Sequence, residues 1–274
     1  MSSGEQLSTT LKIAAVQMVS TPEPAENMQT IERRIHQAAD AGASLVLLPE
    51  YWPLLGRTEQ DKLHHAETPG KGPLQDLMAR VARDAGVWLL GGTVPLVSGV
   101  SGKVLNTLLA FDPQGQLCAR YDKIHLFGFS RGEESFDESR TIVPGTEVRV
   151  LETPFARIGL SICYDLRFPE LYRAMGACDL IVMPAAFTYT TGRAHWEVLL
   201  RARAIENQCH VLAAAQGGVH PNGRRTWGHS MLVDPWGEIV TVLPEGEGLV
   251  IGELDLVRQS SVRESLPALA HRKR

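Results

Sequence analysis

The spacing of apolar and polar positions changes period several times along the chain. Residues 11–18, LKIAAVQM, form a short apolar run of the kind a buried strand carries. Over 28–41 the apolar positions fall at Ile31, Ile35 and Ala38, a helical spacing that Gly42 ends. Residues 45–48 return to strand character and run into Pro49-Glu50. A second helix is predicted over 73–85, closed by Gly86, and a strand over 87–90. This β-α-β-α-β order of short apolar strands predicts an α/β layer fold in which helices cover the sheets.

Two hairpins follow from turn chemistry. Asp112-Pro113-Gln114-Gly115 separates strands over 104–111 and 117–121, and Asp234-Pro235-Trp236-Gly237 separates strands over 229–233 and 238–243. Asp, Pro and Gly at the first, second and fourth positions are type I turn residues. Between the hairpins the pattern predicts strand 157–162, helix 169–175, strand 180–183, helix 194–207 and strand 210–215. Each half therefore holds buried strands, helices and one hairpin, as two similar β-α layers packed together would. Residues 52–72 and 127–145 are polar, contain glycine and lack a period, which marks them as long loops. No linker divides the chain, so one domain over 11–274 is expected, preceded by a polar tail over 1–10. That tail lacks a basic start and an apolar run, so no signal peptide is expected. No run of about 18 apolar residues occurs, so no membrane contact is expected either.

Composition narrows the function classes. The 274 residues are 44% hydrophobic and 21% charged, enough for a core without metals or disulfides. A net charge of -4 weighs against nucleic acid as a partner. None of the four cysteines forms a CxxC pair, which argues against a zinc ribbon or redox motif and fits a reducing cytoplasm. The nine histidines contain no HExxH spacing, so no metal site is implied. Cys118, Cys178 and Cys209 are expected to pack as small hydrophobes, and Trp196 to lie in the core.

Three residues stand where strands end: Glu50 after LVLLP, Lys123 after LCARYD, and Cys163 after IGLSI. Strand ends are where layered α/β folds collect their sites. Taken singly, each has an ordinary explanation: a solvated glutamate, a surface lysine, a buried thiol. Together they match a larger pattern. LVLLPE, YDKIHLF and GLSICYDLRFPEL, in that order, resemble the three signature segments of the nitrilase superfamily of carbon-nitrogen hydrolases. HWEVLLRARAIENQ and GHSMLVDPWGE resemble its Nit branch, and HWEVLLRARAIENQCHVLAAAQ is most similar to the deaminated-glutathione amidases within it.

The resemblance implies a four-layer α-β-β-α sandwich, a homodimer and a cofactor-free amidase. In that scheme Cys163 attacks a small linear, carboxylate-bearing amide and forms a thioester. Glu50 is the base, and Lys123 with the backbone N–H of Tyr164 stabilises the oxyanion; acid and ammonia leave. FDESRTIVPG resembles the segment with the family's second glutamate, which places it at Glu138, with Glu133 and Glu134 as neighbouring competitors. Deaminated glutathione is the first substrate candidate and 2-oxoglutaramate, an ω-amidase substrate, the second. Nitrilase, carbamoylase and a catalytically dead binding scaffold are the other readings. A papain-like Cys-His pair would have to use His125, the one histidine near a site strand. The segment AAFTYTTGRAHW is expected to shape the pocket. Phe187, Thr191, Arg193 and His195 in it, with Arg167 four residues after Cys163, are the candidate substrate-binding residues. Arg167 and Arg193 form the expected carboxylate fork. The helix over 194–207 is the candidate dimer face.

Overall fold

A computed structural model describes residues 10–132 and 134–273. Most of the expected tail, and Glu133, lie outside the described residues. Thr10 already belongs to the first strand, Thr10–Gln17.

Most of the described strands form two large sheets. The first has Thr10–Gln17, Leu45–Leu47 and Trp88–Leu90 parallel at its centre. Gly248–Asp255 pairs antiparallel on one side, and Val104–Phe111, Val94–Val97 and Leu117–Asp122 extend the other. The second repeats the plan, with Arg157–Leu160, Leu180–Ala185 and His210–Ala215 parallel. Val150–Glu152, Ser230–Val233 and Ile239–Leu243 flank it antiparallel. Both expected hairpins are present.

Strand period two builds the layers. Ile13, Ala15, Leu45 and Leu47 face the core shared with the second sheet, where Leu160, Val182 and Ala213 also lie. Ala14, Val16, Val46 and Leu48 point the other way, against Ile31, Ile35 and Ala38 of helix Pro24–Asp40 and Leu77, Met78 and Val81 of helix Pro73–Ala85. On the far side, Leu171 and Tyr172 of Pro169–Met175 and Trp196, Leu200 and Ala204 of Tyr189–Asn207 cover the second sheet. The result is the α-β-β-α sandwich. Polar bonds lock the two sheets in register: the N–H of Ser230 donates to Gln17 Oε1 at 2.8 Å, and the N–H of Gly217 to the carbonyl of Met18 at 2.8 Å.

Several expected boundaries move. The first helix begins at Pro24 rather than 28, because proline suits the first helical turn, where its missing N–H is not needed. The long helix begins at Tyr189 rather than 194, since the Thr188 side chain caps it by accepting from the N–H of Thr191 at 3.2 Å. Glycine inside that helix is required by packing: a Cβ on Gly192 would lie 2.2 Å from the Cβ of Trp227. The two supposed loops contain structure, a helical turn Asp61–His64 and a hairpin of Gly128–Arg131 with Glu134–Asp137. Cys118 does not pack; it sits exposed on its strand, whereas Cys178 and Cys209 are buried. Among the described residues no helix is long and apolar enough to cross a membrane.

Candidate functional site

Each of the four candidate chemical side chains leaves a tightly held piece of backbone. After Leu45–Leu47, the chain turns at Pro49 against Gly92, where a Cβ would stand 2.1 Å from the Pro49 carbonyl. Only glycine admits that approach, and it leaves Glu50 buried between the sheets. Lys123 follows strand Leu117–Asp122; its N–H donates to the Asn106 carbonyl at 2.9 Å and its carbonyl accepts from Gly145 at 2.8 Å. Glu138 opens a 3-10 turn at the base of the Gly128–Asp137 hairpin, and its N–H donates to the Phe127 carbonyl at 3.0 Å. Cys163 does not end its strand. The strand stops at Leu160, and Cys163 begins the 3-10 turn Cys163–Arg167 with φ of 48°, a left-handed conformation unusual for cysteine. The sharp turn lifts the thiol off the strand, and strain of this kind concentrates at functional sites.

These four side chains meet. Lys123 Nζ lies 2.8 Å from Glu50 Oε1, and 3.0 and 2.8 Å from the two oxygens of Glu138. The lysine is 0% exposed and Glu50 1%. The Cys163 thiol is buried beside the Glu50 carboxylate, close enough to feel its charge. Glu50 also accepts from Asn106 Nδ2 at 2.9 Å and from the N–H of Ala186 at 3.0 Å. Glu138 accepts from the Tyr51 hydroxyl and from the N–H of Phe127, both at 2.7 Å.

Burial and neighbouring charge set the protonation pattern. Burial raises the pKa of Glu50, and the charge of Glu138 adds to this, against the pull of Lys123. Burial pushes the Cys163 thiol well above its ordinary value; the Glu50 charge reinforces this while Lys123 opposes it. For Glu138, burial disfavours the anion, but Lys123 and the bonds from Phe127 and Tyr51 outweigh it, so its pKa falls. Burial likewise opposes the Lys123 ammonium, but the anions around it win and its pKa rises. These directions favour Lys123 as the ammonium, Glu138 as the carboxylate and Cys163 as the thiol, and leave Glu50 the carboxyl group readier to take up a proton.

A narrow cleft opens at the thiol. Cys163, Tyr164, Arg167, Phe187 and Thr191 line it, with Phe127, Ala186 and Thr188. Arg167 spans its rim, 5.6 Å from the Tyr164 ring and 5.3 Å from the Phe187 ring, with Nη1 3.2 Å from Nδ1 of the exposed His195. Arg193 stays out of the cleft: it lies exposed on helix Tyr189–Asn207, because helical spacing turns it from the face that carries Thr191. The expected two-arginine fork is therefore reduced to Arg167. His125 faces Asp165 rather than the thiol, with Nδ1 2.7 Å from Oδ1.

Sequence reasoning missed Asn106, Tyr51 and Asp165, which hold the carboxylates and the turn. A buried polar residue within the apolar strand VLNTLLAF was the available signal for Asn106. Gln216, also missed, ties the Glu50 backbone carbonyl through Nε2 at 3.0 Å.

Comparison with known proteins identifies the family. The carbon-nitrogen hydrolase family model matches residues 12–264. A deaminated glutathione amidase of Yersinia enterocolitica is 43% identical over 94% of this chain and 92% of its own length. An omega-amidase of Xenopus laevis is 37% identical over 96% of this chain and 95% of its own. Among solved structures, the C. elegans NitFhit protein superposes with a TM-score of 0.86 at 38% identity, covering 96% of this chain but only 65% of that longer one. Saccharomyces cerevisiae Nit3, a member of branch 10 of the nitrilase superfamily, superposes with a TM-score of 0.85 at 30% identity over 97% of both chains. The chain belongs to the carbon-nitrogen hydrolase family, within the Nit branch of the nitrilase superfamily, and is an amidase acting on carbon–nitrogen bonds.

Proposed function

We propose that the chain hydrolyses a small carboxylate-bearing amide through a thioester on Cys163, with deaminated glutathione as the leading substrate. The observation that carries the mechanism is the fully buried Lys123, held by two carboxylates beside a buried thiol. Burying such a group of charges is expensive, and a purely structural role would be served better by apolar residues.

The steps follow from the protonation pattern. Glu50 takes the thiol proton as Cys163 Sγ attacks the amide carbon, and its raised pKa suits it to that task. The carbonyl oxygen becomes an oxyanion beside Lys123 Nζ and the backbone N–H of Tyr164. Glu50 then gives its proton to the leaving nitrogen as the carbon–nitrogen bond breaks. Water attacks the thioester, loses its proton to Glu50, and releases the acid as the proton returns to sulfur. Glu138 holds Lys123 in place with both oxygens.

Arg167 supports the substrate class. It is half-buried at the cleft rim between aromatic faces, and no carboxylate pairs with it among the described residues. A planar cation so placed suits a substrate carboxylate. The relative named deaminated glutathione amidase favours that substrate, and the omega-amidase favours 2-oxoglutaramate second. The products differ. Deaminated glutathione releases cysteinylglycine, so free ammonia is the product only with 2-oxoglutaramate. The test is an assay of both amines across these two acids, a neutral amide, a nitrile and an N-carbamoyl amino acid. Arg167→Ala should raise KM more for the acids than for the neutral amide. An equal rise for both removes the clamp, and faster turnover of the nitrile removes the substrate class.

Two coarser features complete the proposal. Val198 and Ile205 are 67% and 49% exposed on helix Tyr189–Asn207, which supports pairing of two copies through that face. Sedimentation at micromolar concentration should give a dimer. The four unpaired thiols suit a reducing, cytoplasmic compartment.

A further inference from the structure

We propose that Asp165 is the positioning residue that fixes the Cys163 thiol relative to the Lys123 ammonium, an inference that rests on the roles given to those two residues above. Asp165 is 0% exposed, and both of its oxygens are fully used. Oδ2 accepts from the N–H of Ile162 at 2.9 Å and from the Tyr121 hydroxyl at 2.7 Å. Oδ1 accepts from the N–H of His125 at 3.0 Å and meets His125 Nδ1 at 2.7 Å. Ile162 immediately precedes the nucleophile. Tyr121 and His125 stand two residues to either side of Lys123. One carboxylate thus spans the two segments that the chemistry must align, and it does so next to the left-handed turn at Cys163.

The second segment is braced in turn. The His125 ring stacks on Phe168 at 3.8 Å, and the N–H of Phe168 donates to the Asp165 carbonyl at 3.0 Å. The Asp165 side chain is not part of the cleft lining and bonds only Ile162, Tyr121 and His125, so it acts through its neighbours. Only a carboxylate fits the four donors. A carboxamide has one acceptor oxygen, and its NH2 group would face either Ile162 N–H with the Tyr121 hydroxyl or the two nitrogens of His125. The clamp matters most in the transition state, when the oxyanion forms between thiol and ammonium. A misplacement of about 1 Å there is worth roughly 10²-fold in rate.

The experiment uses the full chain carrying Cys118→Ser, which removes the exposed thiol. It measures kcat and KM for the best amide of the panel, iodoacetamide alkylation of Cys163, and the thermal midpoint. Tyr121→Phe loosens only the lysine side. Its kcat should fall about tenfold with KM and alkylation unchanged. Asp165→Asn loosens both sides and should lower kcat roughly 10²-fold, alter alkylation and leave KM within about twofold. If Asp165→Asn fails to fold, Tyr121→Phe decides alone. A kcat within about twofold of wild type in Tyr121→Phe overturns the proposal, as does a rise in KM at constant kcat. Cys163→Ala serves as the separate control: if it turns over, the nucleophile is wrong and the proposal falls with it. If it is dead while Tyr121→Phe and Asp165→Asn are normal, only the role of Asp165 is lost.

Discussion

Replacing Lys123 with methionine separates a catalytic lysine from a structural one. The perturbation removes one charge while keeping most of the volume. Its ammonium is 2.8 Å from an oxygen of each of two buried carboxylates. Losing an oxyanion donor of this kind costs about 10²–10³ in kcat, or about 3–4 kcal/mol. Because the oxyanion exists only along the reaction path, kcat and kcat/KM should fall together. Stability should fall as well, by about 3–5 kcal/mol near neutral pH, since two buried carboxylates are left without their cation. The pH dependence has a definite sign. In the wild type, Lys123 depresses the pKa of Glu138, so that group stabilises the fold above its unfolded value and the contribution is lost as pH falls. Without the lysine, burial and like charge raise the carboxylate pKa values, so the penalty is full at high pH and is relieved as one carboxylate takes up a proton. The gap in thermal midpoint between wild type and variant should therefore narrow between about pH 8 and pH 5. A kcat within about fivefold of wild type refutes the oxyanion role. A rise in KM at constant kcat moves Lys123 to substrate binding, and a midpoint gap that widens in acid refutes the charge ledger.

Cys163→Ala should abolish turnover with the midpoint unchanged, and Cys163→Ser should be nearly as inactive; a tenth of the wild-type rate in the alanine variant excludes a thioester. Substrate should protect Cys163 from alkylation but not the exposed Cys118, whereas Cys178, with its pKa pushed up to about 11 by burial, should stay unreactive in both states. Since Glu50 must be ionised to accept the thiol proton, kcat/KM should fall as pH drops through its raised pKa, an acid limb above the ordinary 4.5; a limb at or below 4.5 assigns the base elsewhere. Gly192→Ala should destabilise the fold by about 1–3 kcal/mol, because its Cβ meets the Cβ of Trp227 at 2.2 Å, and an unchanged midpoint contradicts that packing.

Local chemistry was legible wherever one segment settles its own conformation. Helix Pro73–Ala85 ends where Gly86 turns left-handed, at φ of 66°. Both Asp-Pro-x-Gly turns form with the aspartate accepting from backbone two and four residues on, Asp112 from Gln114 and Gln116, Asp234 from Trp236 and Glu238. Glu50, Lys123 and Cys163 stood out because each follows an apolar strand and sits in a segment that resembles the family. What the sequence did not disclose depends on partners distant along the chain. The hairpin Gly128–Asp137 brings only the cross-strand pair Phe129 and Phe136 to one face, too short a pattern to mark strands, and that face is completed by Phe127, which packs on Tyr164 of the nucleophile turn. Arg193 looked like Arg167 until helix phase set it on the surface, while the nucleophile turn holds Arg167 at the cleft. Cys118 was expected to pack because it lies within a hairpin strand, but that strand exposes it at the sheet edge together with Leu117.

The charge arrangement also explains why the nucleophile is held as a thiol. With Glu50 and Glu138 ionised and Lys123 protonated, the buried cluster carries one net negative charge. Ionising Cys163 beforehand would place a thiolate in a buried site and add a second charge beside Glu50; burial first, and the Glu50 charge after it, push the thiol pKa up. During attack no second charge is needed. The proton passes to Glu50, the thiolate charge moves through the new carbon–sulfur bond to the carbonyl oxygen, and that oxygen forms beside the Lys123 ammonium. The net charge stays at minus one throughout, while the mobile negative charge shifts from carboxylate to oxyanion. A site already ordered for that shift pays little reorganisation when it occurs. On this account Glu138 is needed to keep Lys123 charged and aimed while Glu50 is neutralised. Glu138→Gln should then slow acylation and deacylation alike, because both pass through the same oxyanion. A normal first turnover followed by slow deacylation would show instead that Glu138 serves the hydrolytic water alone.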